Sequence, residues 1–348
     1  MNSRPVFFQI SRNRKKAASA PAMRPKALSG SIAKYSRGLA LSALALIGAS
    51  QAPGATYYWD TDGSGTPGFG TASGNWGSSA FWGTSDLGTG ATANTTITAS
   101  DTVNFGTATV GLRTGGIDIN AANTVVNNIV FGNASGSITL RAFAGTSIKL
   151  DGTTPTITVN NLQGTILTAL VGNAGLIKDG AGTLILSGDS KTYTGTTTVS
   201  AGTLQWSGDG GSNLGSTAYI LNGSSSLVIN NLGLGRAGND NRILDTATIA
   251  LNGGSFTYIG CGSNQQFINE TVGAISGTGN SATSGSSITV IGPNGGGTDY
   301  TTLTAASFTH SPGNASILVN GTTLGKDTNS IGPGGSARFI LNTAPTLV

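Results

Sequence analysis

Short alternations of apolar and polar residues recur along this chain from about residue 106 onward. Each run is rich in Val, Ile and Thr and is bounded by Gly, Asn or Asp, the pattern of β-strands separated by turns. After residue 56 no 3.6-residue apolar period persists beyond one or two turns, so we expect very little helix. The predicted strands are 124–131, 137–142, 146–150, 156–159, 183–186, 196–199, 203–206, 218–221, 226–229, 247–251, 255–259, 286–291, 315–319 and 337–341.

The pattern is densest in residues 175–206, which hold several short alternations in one unit. Successive side chains of a strand point to opposite faces, so alternate residues share a face. We expect Leu184 and Leu204 to be core residues of adjacent stacked coils. Ile185 and Gln205 are expected to face outward or sideways.

Many short strands at regular spacing could build a sandwich or a barrel as well as a solenoid. Turns that vary in length while the strands keep two inward residues favour the solenoid, in which each coil stacks on its neighbours at about 4.8 Å. At roughly 20 to 25 residues a coil, residues 106–341 would form on the order of ten coils. The Asn pairs at 127–128, 160–161 and 230–231 suit corners in the left-handed backbone conformation, or else polar surface loops.

The segment 175–206 resembles the autotransporter-associated β-strand repeat. It matches that family's G-L-x-K-x-G-x-G-T-L-x-L opening and its T-G-x-T-x-V-x-A-G-T-L continuation, with Ser190 or Lys191 where the family has Asn. The resemblance implies an all-β, right-handed parallel β-helix passenger that is secreted or exposed at the bacterial surface. The repeat is structural, so it implies no catalytic residue.

The first 55 residues have the composition of a signal peptide with a long basic n-region. Nine of the chain's 18 Lys and Arg residues lie there and no acidic residue does, although the net charge of the chain is only +4. An apolar stretch at 38–48 and the small residues around Ala52 and Ala55 complete the pattern, which predicts cleavage after export through the Sec pathway. Once this leader is removed the remainder is acidic, so no nucleic-acid partner is expected.

Three regions are predicted. Residues 1–55 form the signal peptide, 56–105 a Trp- and Gly-rich cap or lead-in, and 106–348 the solenoid passenger, which is compatible with truncation at its C-terminus. A cap is expected because a stack of strands needs its first edge covered. No apolar stretch after the leader is long enough to form an integral membrane helix.

Two short motifs suggest ligands. The segment from Asp60 to Gly65 begins like a calcium-binding loop, but its twelfth position is Thr71 rather than a bidentate carboxylate, so an Asp-stabilised turn is favoured. Residues 233–238 (GLGRAG) match the dinucleotide fingerprint, but a strand rather than a helix is predicted after them, so we read the match as chance.

Histidine and cysteine restrict the possible chemistry. His310 is the only histidine, which argues against a histidine-based metal site, and we expect it in an exposed turn. Cys261 is the only cysteine and has no partner for an internal disulfide; we expect it half-buried in a turn. We therefore expect no metal and no cofactor.

A polysaccharide lyase or glycosidase is the rival interpretation, because such enzymes use paired carboxylates. Glu270 is the only glutamate, and several aspartates are followed directly by Gly, as in turns. The remaining aspartates have no spacing that pairs them on one face, so no catalytic residue is assigned. They are Asp101, Asp118, Asp240, Asp245 and Asp299.

The sequence therefore favours an exported, non-enzymatic surface protein with a structural or adhesive role at the cell envelope, associated with the outer membrane. Its partner would be a cell-surface or matrix polysaccharide, or a second copy. The alternative is a secreted β-helix that binds or cleaves polysaccharide, which would show exposed aromatic and carboxylate side chains along one face instead of Thr, Ser and Asn. Trp206 is expected in the core. The aromatic candidates for sugar stacking are the Trp-rich start of the region 56–105, together with Tyr193, Trp206, Tyr219, Tyr258 and Tyr300.

Overall fold

Strands are the only regular secondary structure in the part of the chain that the structure describes. This computed structural model describes residues 54–232, 241–261, 267–277, 285–292, 300–310, 316–322, 324 and 336–345. Within those residues there is no helix long and apolar enough to cross a membrane.

The first half of the described chain contains strands of two to five residues. They are β1 (Thr56–Trp59), β2 (Trp82–Gly83), β3 (Thr102–Phe105), β4 (Gly115–Ile119), β5 (Thr124–Val126), β6 (Asn128–Phe131), β7 (Ile138–Ala142), β8 (Ser147–Leu150), β9 (Thr156–Val159), β10 (Gln163–Ile166) and β11 (Ala169–Gly172).

The second half has longer strands toward its end. They are β12 (Leu176–Asp179), β13 (Thr183–Leu186), β14 (Gly195–Val199), β15 (Thr203–Trp206), β16 (Ser216–Asn222), β17 (Ser226–Asn230), β18 (Thr248–Asn252), β19 (Ser255–Ile259), β20 (Phe267–Gly277), β21 (Ser286–Ile291), β22 (Tyr300–His310), β23 (Ile317–Gly321) and β24 (Ser336–Leu341).

These strands form three sheets, in which every strand pair is parallel except the antiparallel pair of β1 and β2. The long sheet has twelve strands in the order β2-β1-β3-β6-β9-β12-β14-β16-β18-β20-β22-β24. The second sheet has nine strands in the order β4-β7-β10-β13-β15-β17-β19-β21-β23. A third sheet contains only β5, β8 and β11. From β3 onward the chain returns to the long sheet after each visit to the second sheet, so successive coils stack as in a parallel β-solenoid.

The core lies between the sheets and is built from the inward residue of each alternation. Leu184 pairs in register with Leu204, which pairs with Leu227, and all three are fully buried. Ile185 and Gln205 are only half-buried on the opposite face. The prediction for this pair of coils is confirmed, and the core position expected for Trp206 is confirmed as well.

Close packing also requires one small residue in the core. Gly164 on β10 lies in register between Ile138 and Leu184, where a side chain would be expected. A Cβ there would come within 2.8 Å of the Phe131 ring, so the glycine leaves room for that ring.

Most predicted strands occur at or within two residues of their expected places. The alternation missed β4, β10, β11, β12, β20 and β22; Gly, Lys, Glu or Asn interrupts the apolar pattern in all of these except β22. It also missed β1, β2 and β3, which come from the region expected to be irregular, although β1 and β3 pair in parallel within the long sheet. Backbone pairing with a neighbouring coil does not require a regular pattern of side chains, which explains these omissions.

Two of the three Asn pairs, 160–161 and 230–231, lie at the ends of strands, and one residue of each pair is buried. This placement is consistent with corners of the solenoid. Asn161 and Asn231 are buried, and the amide of Asn161 donates to the carbonyl oxygens of Gly136 and Gln163. The left-handed backbone expected for these pairs is wrong, because Asn123 is the one non-glycine residue with positive φ in the described part of the chain. Side-chain hydrogen bonds, rather than backbone conformation, explain Asn161.

Candidate functional surface

Lys178 of the repeat segment is buried inside the solenoid. Its backbone is in register between Ile157 and Val199, both core residues, and Nζ donates to the carbonyl oxygens of Asp179, Gly180 and Ala201 at 2.9, 2.8 and 3.0 Å. Burial lowers the pKa of Lys178 to about 8. The three carbonyl groups match the three donors of an ammonium group, so Lys178 ties one coil to the next.

Lys191 is a second buried amine, at the corner that follows β13. Its backbone pairs with that of Asn213 on the next coil, which in turn pairs with Ile243. Lys191 therefore occupies a corner position that stacks on Asn213 of the next coil. Nζ donates to the carbonyl oxygens of Ser187 and Asp189, and burial lowers the pKa of Lys191 to about 7.

A chain of buried hydroxyl groups crosses from one coil to the next beside this corner. The Tyr193 hydroxyl lies 2.9 Å from Thr197 Oγ1, which lies 2.8 Å from Ser216 Oγ. Burial raises the pKa of Tyr193 to about 12. The tyrosine of the repeat is therefore part of the core and cannot stack on a ligand.

Glu270 and Arg242 form a buried polar cluster on the same side of the molecule. The Glu270 carboxylate accepts hydrogen bonds from the backbone N–H groups of Arg242 and Ile243, and burial raises the pKa of Glu270 to about 8. The Arg242 side chain donates to Asn231 Oδ1 and to the Gly211 carbonyl oxygen, both at 2.6 Å. The only glutamate thus braces a corner of the solenoid.

Two of the aspartates that the rival enzyme interpretation would need as catalytic residues instead form hydrogen bonds within the fold. Asp101 accepts hydrogen bonds from the backbone N–H groups of Ala55 and Thr98, whereas Asp118 binds Arg141 through two nitrogens at 2.5 and 2.9 Å. Asp245 is exposed. Asp240 and Asp299 lie outside the described residues.

The calcium-like segment forms the favoured turn. Asp60 is buried, and its Oδ1 accepts hydrogen bonds from the backbone N–H groups of Asp62 and Gly63 at 3.1 Å. The described residues contain no group of three or more His, Cys, Asp or Glu side chains that could hold a metal ion. The fingerprint at 233–238 lies outside the described residues.

Two expectations about single residues are wrong. His310 is half-buried and is the last residue of β22, not an exposed turn residue, because the strand is longer than its sequence suggests. Cys261, two residues after the end of β19, is fully buried rather than half-buried, because its small side chain packs within the core.

Most aromatic candidates for sugar stacking are also placed in the core. Tyr193, Trp206, Tyr219 and Tyr258 are fully buried, since each follows the inward alternation or packs at a corner. Tyr300 is half-buried, with the Arg338 guanidinium 4.0 Å from its ring centroid. These side chains therefore form no exposed row for a polysaccharide.

The outward side of the second sheet presents an uncharged surface of mostly hydroxyl and amide side chains, which we call the polar face. From β10 to β21 its outward residues are hydroxyl, amide or aliphatic side chains, with no charged or aromatic member among those described. The two rows in register are Gln163, Thr183, Thr203, Ser226, Ser255 and Ser287, and Thr165, Ile185, Gln205, Val228, Thr257 and Thr289.

The family model for the passenger-associated-transport-repeat matches residues 176–205, the segment from β12 to β15. The chain contains an autotransporter-type passenger repeat. Lys178, Lys191, Tyr193 and Thr197 are polar side chains that this repeat buries.

A curated relative supports the same assignment. The chain is 31% identical over 229 residues to the adhesin BmaC autotransporter of Brucella suis biovar 1 (strain 1330). The matched segment covers 66% of this chain but only 6% of the relative, so the chain spans a small part of that protein's length. No solved structure matches the chain significantly.

Sequence reasoning missed the two buried polar clusters around Lys178 and Glu270. For Lys178 a signal was available, because it alternates with the buried Leu176 and must share its inward face. For Glu270 there was none, since its partners Arg242 and Ile243 lie on the preceding coil.

Proposed function

We propose that this chain is the exported passenger section of a bacterial surface adhesin, with a structural and adhesive rather than an enzymatic role. The observation that carries this proposal is the polar face, an uncharged surface that extends over six strands, β10 to β21, of the second sheet. Such a face can make many weak hydrogen bonds to a partner surface without requiring a pocket or a catalytic group.

The passenger repeat and the relative named as an adhesin support the same role. The hydrogen-bonded positions of Asp101, Asp118 and Glu270 support a non-enzymatic function, because each carboxylate already serves the fold. A catalytic pair would need two carboxyl groups free to face the same substrate.

The finer parts of this proposal concern export and the ends of the solenoid. Residues 1–55 are proposed to act as a Sec signal peptide, which delivers the chain to the cell surface. Residues 56–105 are proposed to cap the first edge of the long sheet, and the coil is proposed to be right-handed, as parallel crossover connections nearly always are.

Surface display and binding can be tested together on intact cells. We expect antibodies against the chain to label intact cells, and cells that express it to bind host or abiotic surfaces better than a deletion strain. Replacing Thr165, Gln205 and Thr257 together by Lys should weaken this binding, because three positive charges would interrupt the polar face.

The matched control places the same charges on the outward side of the long sheet, at Thr102, Thr156 and Thr198. This control should bind as the wild type does. Chain found only inside the cell would overturn the proposal of a surface protein, and equal binding by both triple variants would overturn the role of the polar face.

A further inference from the structure

A cavity of about 330 Å³ opens near the first coils of the solenoid. Three segments form its walls: the turn at Trp76 and Gly77, residues 94–97, and residues 121–125, which lead into β5. This volume lies at the lower end of the range of roughly 300–1,000 Å³ that is typical of small-molecule sites.

No charged side chain lines this cavity. Its hydrogen-bonding groups include the side chains of Asn94, Thr95, Thr96 and Asn123, and none of these forms a hydrogen bond within the described part of the chain. They are at least partly exposed, so the fold does not use them. They are therefore available to donate to a ligand and to accept from it.

The apolar part of the cavity is built from rigid residues. Trp76 and Ile97 are its most buried lining residues, at 3% and 7% exposure. The Trp76 ring packs against Trp82 and Phe105, with centroid distances of 5.1 and 5.8 Å. Trp76 thus cannot rotate out of the wall without breaking an aromatic cluster.

Hydrogen bonds also hold two of the walls together. Asn120 Oδ1 accepts from the Gly77 backbone N–H, and Asn120 Nδ2 donates to Ser78 Oγ, both at 3.0 Å. Asn123 has a φ of 55°, and its backbone N–H donates to Ser147 Oγ at 2.7 Å. The cavity is therefore formed before any ligand arrives, which reduces the entropy lost on binding.

We propose that this cavity binds one neutral sugar residue of a surface or matrix glycan. A neutral sugar offers hydroxyl groups that both donate and accept, which suits the free amide and hydroxyl side chains. It also offers C–H faces, which suit the partly exposed Val125 and the exposed Ala121 and Ala122. An ion would find no opposite charge here, and an apolar ligand would leave the polar side chains unpaired. This inference names a ligand for the adhesive function proposed above and rests on it for its biological context.

Ligand-observed NMR on the full chain tests the inference directly. The probes are glucose, galactose, mannose, fucose and N-acetylglucosamine, with glucuronic acid as a charged comparison. We expect at least one neutral sugar to bind weakly. Asn94→Ala and Thr96→Ala should each weaken that binding about two- to tenfold, the loss expected for one hydrogen bond.

Two further variants make the test specific. Ala122→Trp, at the exposed rim of the cavity, should abolish binding because the indole fills the space. Asn133→Ala removes an exposed Asn that does not line the cavity and should bind as the wild type does. Circular dichroism of each variant should match that of the wild type.

Three outcomes would overturn the inference: no neutral sugar binds, glucuronic acid alone binds, or binding is unchanged in Ala122→Trp. None of them bears on surface display or on the polar face, which are measured on intact cells. Conversely, sugar binding by the purified chain would persist even if the cell-binding experiment failed.

Discussion

At the scale of single residues, the unusual feature is the burial of ionisable side chains in a chain with few charges. Lys178, Lys191, Arg242 and Glu270 are all buried, although only 9% of the residues are charged. Each is hydrogen-bonded to backbone groups, most of them at corners. The buried charges thus complete hydrogen bonds where the strands end.

Replacing Lys178 by Met should destabilise the coils around it. The Met side chain fills much of the same space, but the carbonyl groups of Asp179, Gly180 and Ala201 lose their donor, which costs roughly 1–3 kcal/mol. Hydrogen exchange of the neighbouring amides should measure this loss.

The matched control is Lys149→Met, which removes a partly exposed amine paired with Asp151. Its effect should stay within about 0.5 kcal/mol, because exposed ion pairs contribute little. Equal effects of the two substitutions would contradict the structural role assigned to Lys178.

Glu270 predicts a pH dependence of stability. Burial raises its pKa in the folded chain to about 8, above the unfolded value, so the folded state holds this proton more tightly. Its contribution is therefore fully present below the unfolded pKa and is lost as the pH rises through about 8. Stability should fall across this window, and Glu270→Gln should remove that part of the fall.

The measurement is urea unfolding of both proteins between pH 4 and 9. Lys191 has the opposite effect on the pH dependence of stability. Its pKa in the folded chain is lowered to about 7, so the unfolded chain binds this proton more tightly and the contribution of Lys191 is lost as the pH falls through about 7. Comparing wild type with Glu270→Gln cancels this contribution, so parallel curves for the two proteins would refute the role of Glu270.

At the scale of elements, each coil is stabilised mainly by the coils on either side. Strands β13, β15 and β17 are adjacent in the second sheet, and their buried residues Leu184, Leu204 and Leu227 stack in register. Contacts between neighbours dominate such a structure, so a local defect should have a local effect.

Leu184→Ala and Leu204→Ala should open proteolytic sites between residues 175 and 215 before the rest of the solenoid is attacked. Each substitution removes a buried side chain and costs roughly 2–5 kcal/mol. Gln205→Ala, at the half-buried outward position, is the control and should be cleaved as the wild type is. Loss of the whole domain in one step would instead indicate a globular sandwich.

A substitution at the first edge of the long sheet should cause aggregation rather than local proteolysis. β2 pairs antiparallel with β1 at this edge, and Trp82 on β2 packs against Trp59 at a centroid distance of 4.7 Å. Trp82→Ala should cost about 3–5 kcal/mol and loosen β2, which would expose β1 to pairing with other molecules.

Light scattering during mild heating should therefore show earlier aggregation of Trp82→Ala than of the wild type. Phe143→Ala is the matched control, because Phe143 is 54% exposed and its loss should change little. Unchanged aggregation of Trp82→Ala would argue against a capping role for β2.

At the scale of the whole molecule, the proposed signal peptide at residues 1–55 predicts a processed product. Its basic n-region, short apolar stretch and small residues should direct cleavage after Ala52 or Ala55. Intact mass of material recovered outside the cell should therefore correspond to a start at Pro53 or Thr56. Recovery of the full-length chain from the cytosol would contradict this prediction.

The sequence by itself determined the fold class and the position of most strands after residue 106. This was possible because an alternating pattern has only one way to bury its apolar side, as a strand. The repeat at 175–206 added the stacking register, since equivalent residues such as Leu184 and Leu204 recur in it.

The tertiary structure alone decided that Glu270 is buried and where the cavity near Trp76 forms. Glu270 braces a corner through residues of another coil, and the cavity near Trp76 is formed by three segments that are separate in sequence. Both depend on distances between coils, which are set by stacking and by the lengths of the intervening turns. No local pattern of residues encodes those distances, so they could not be read from the chain.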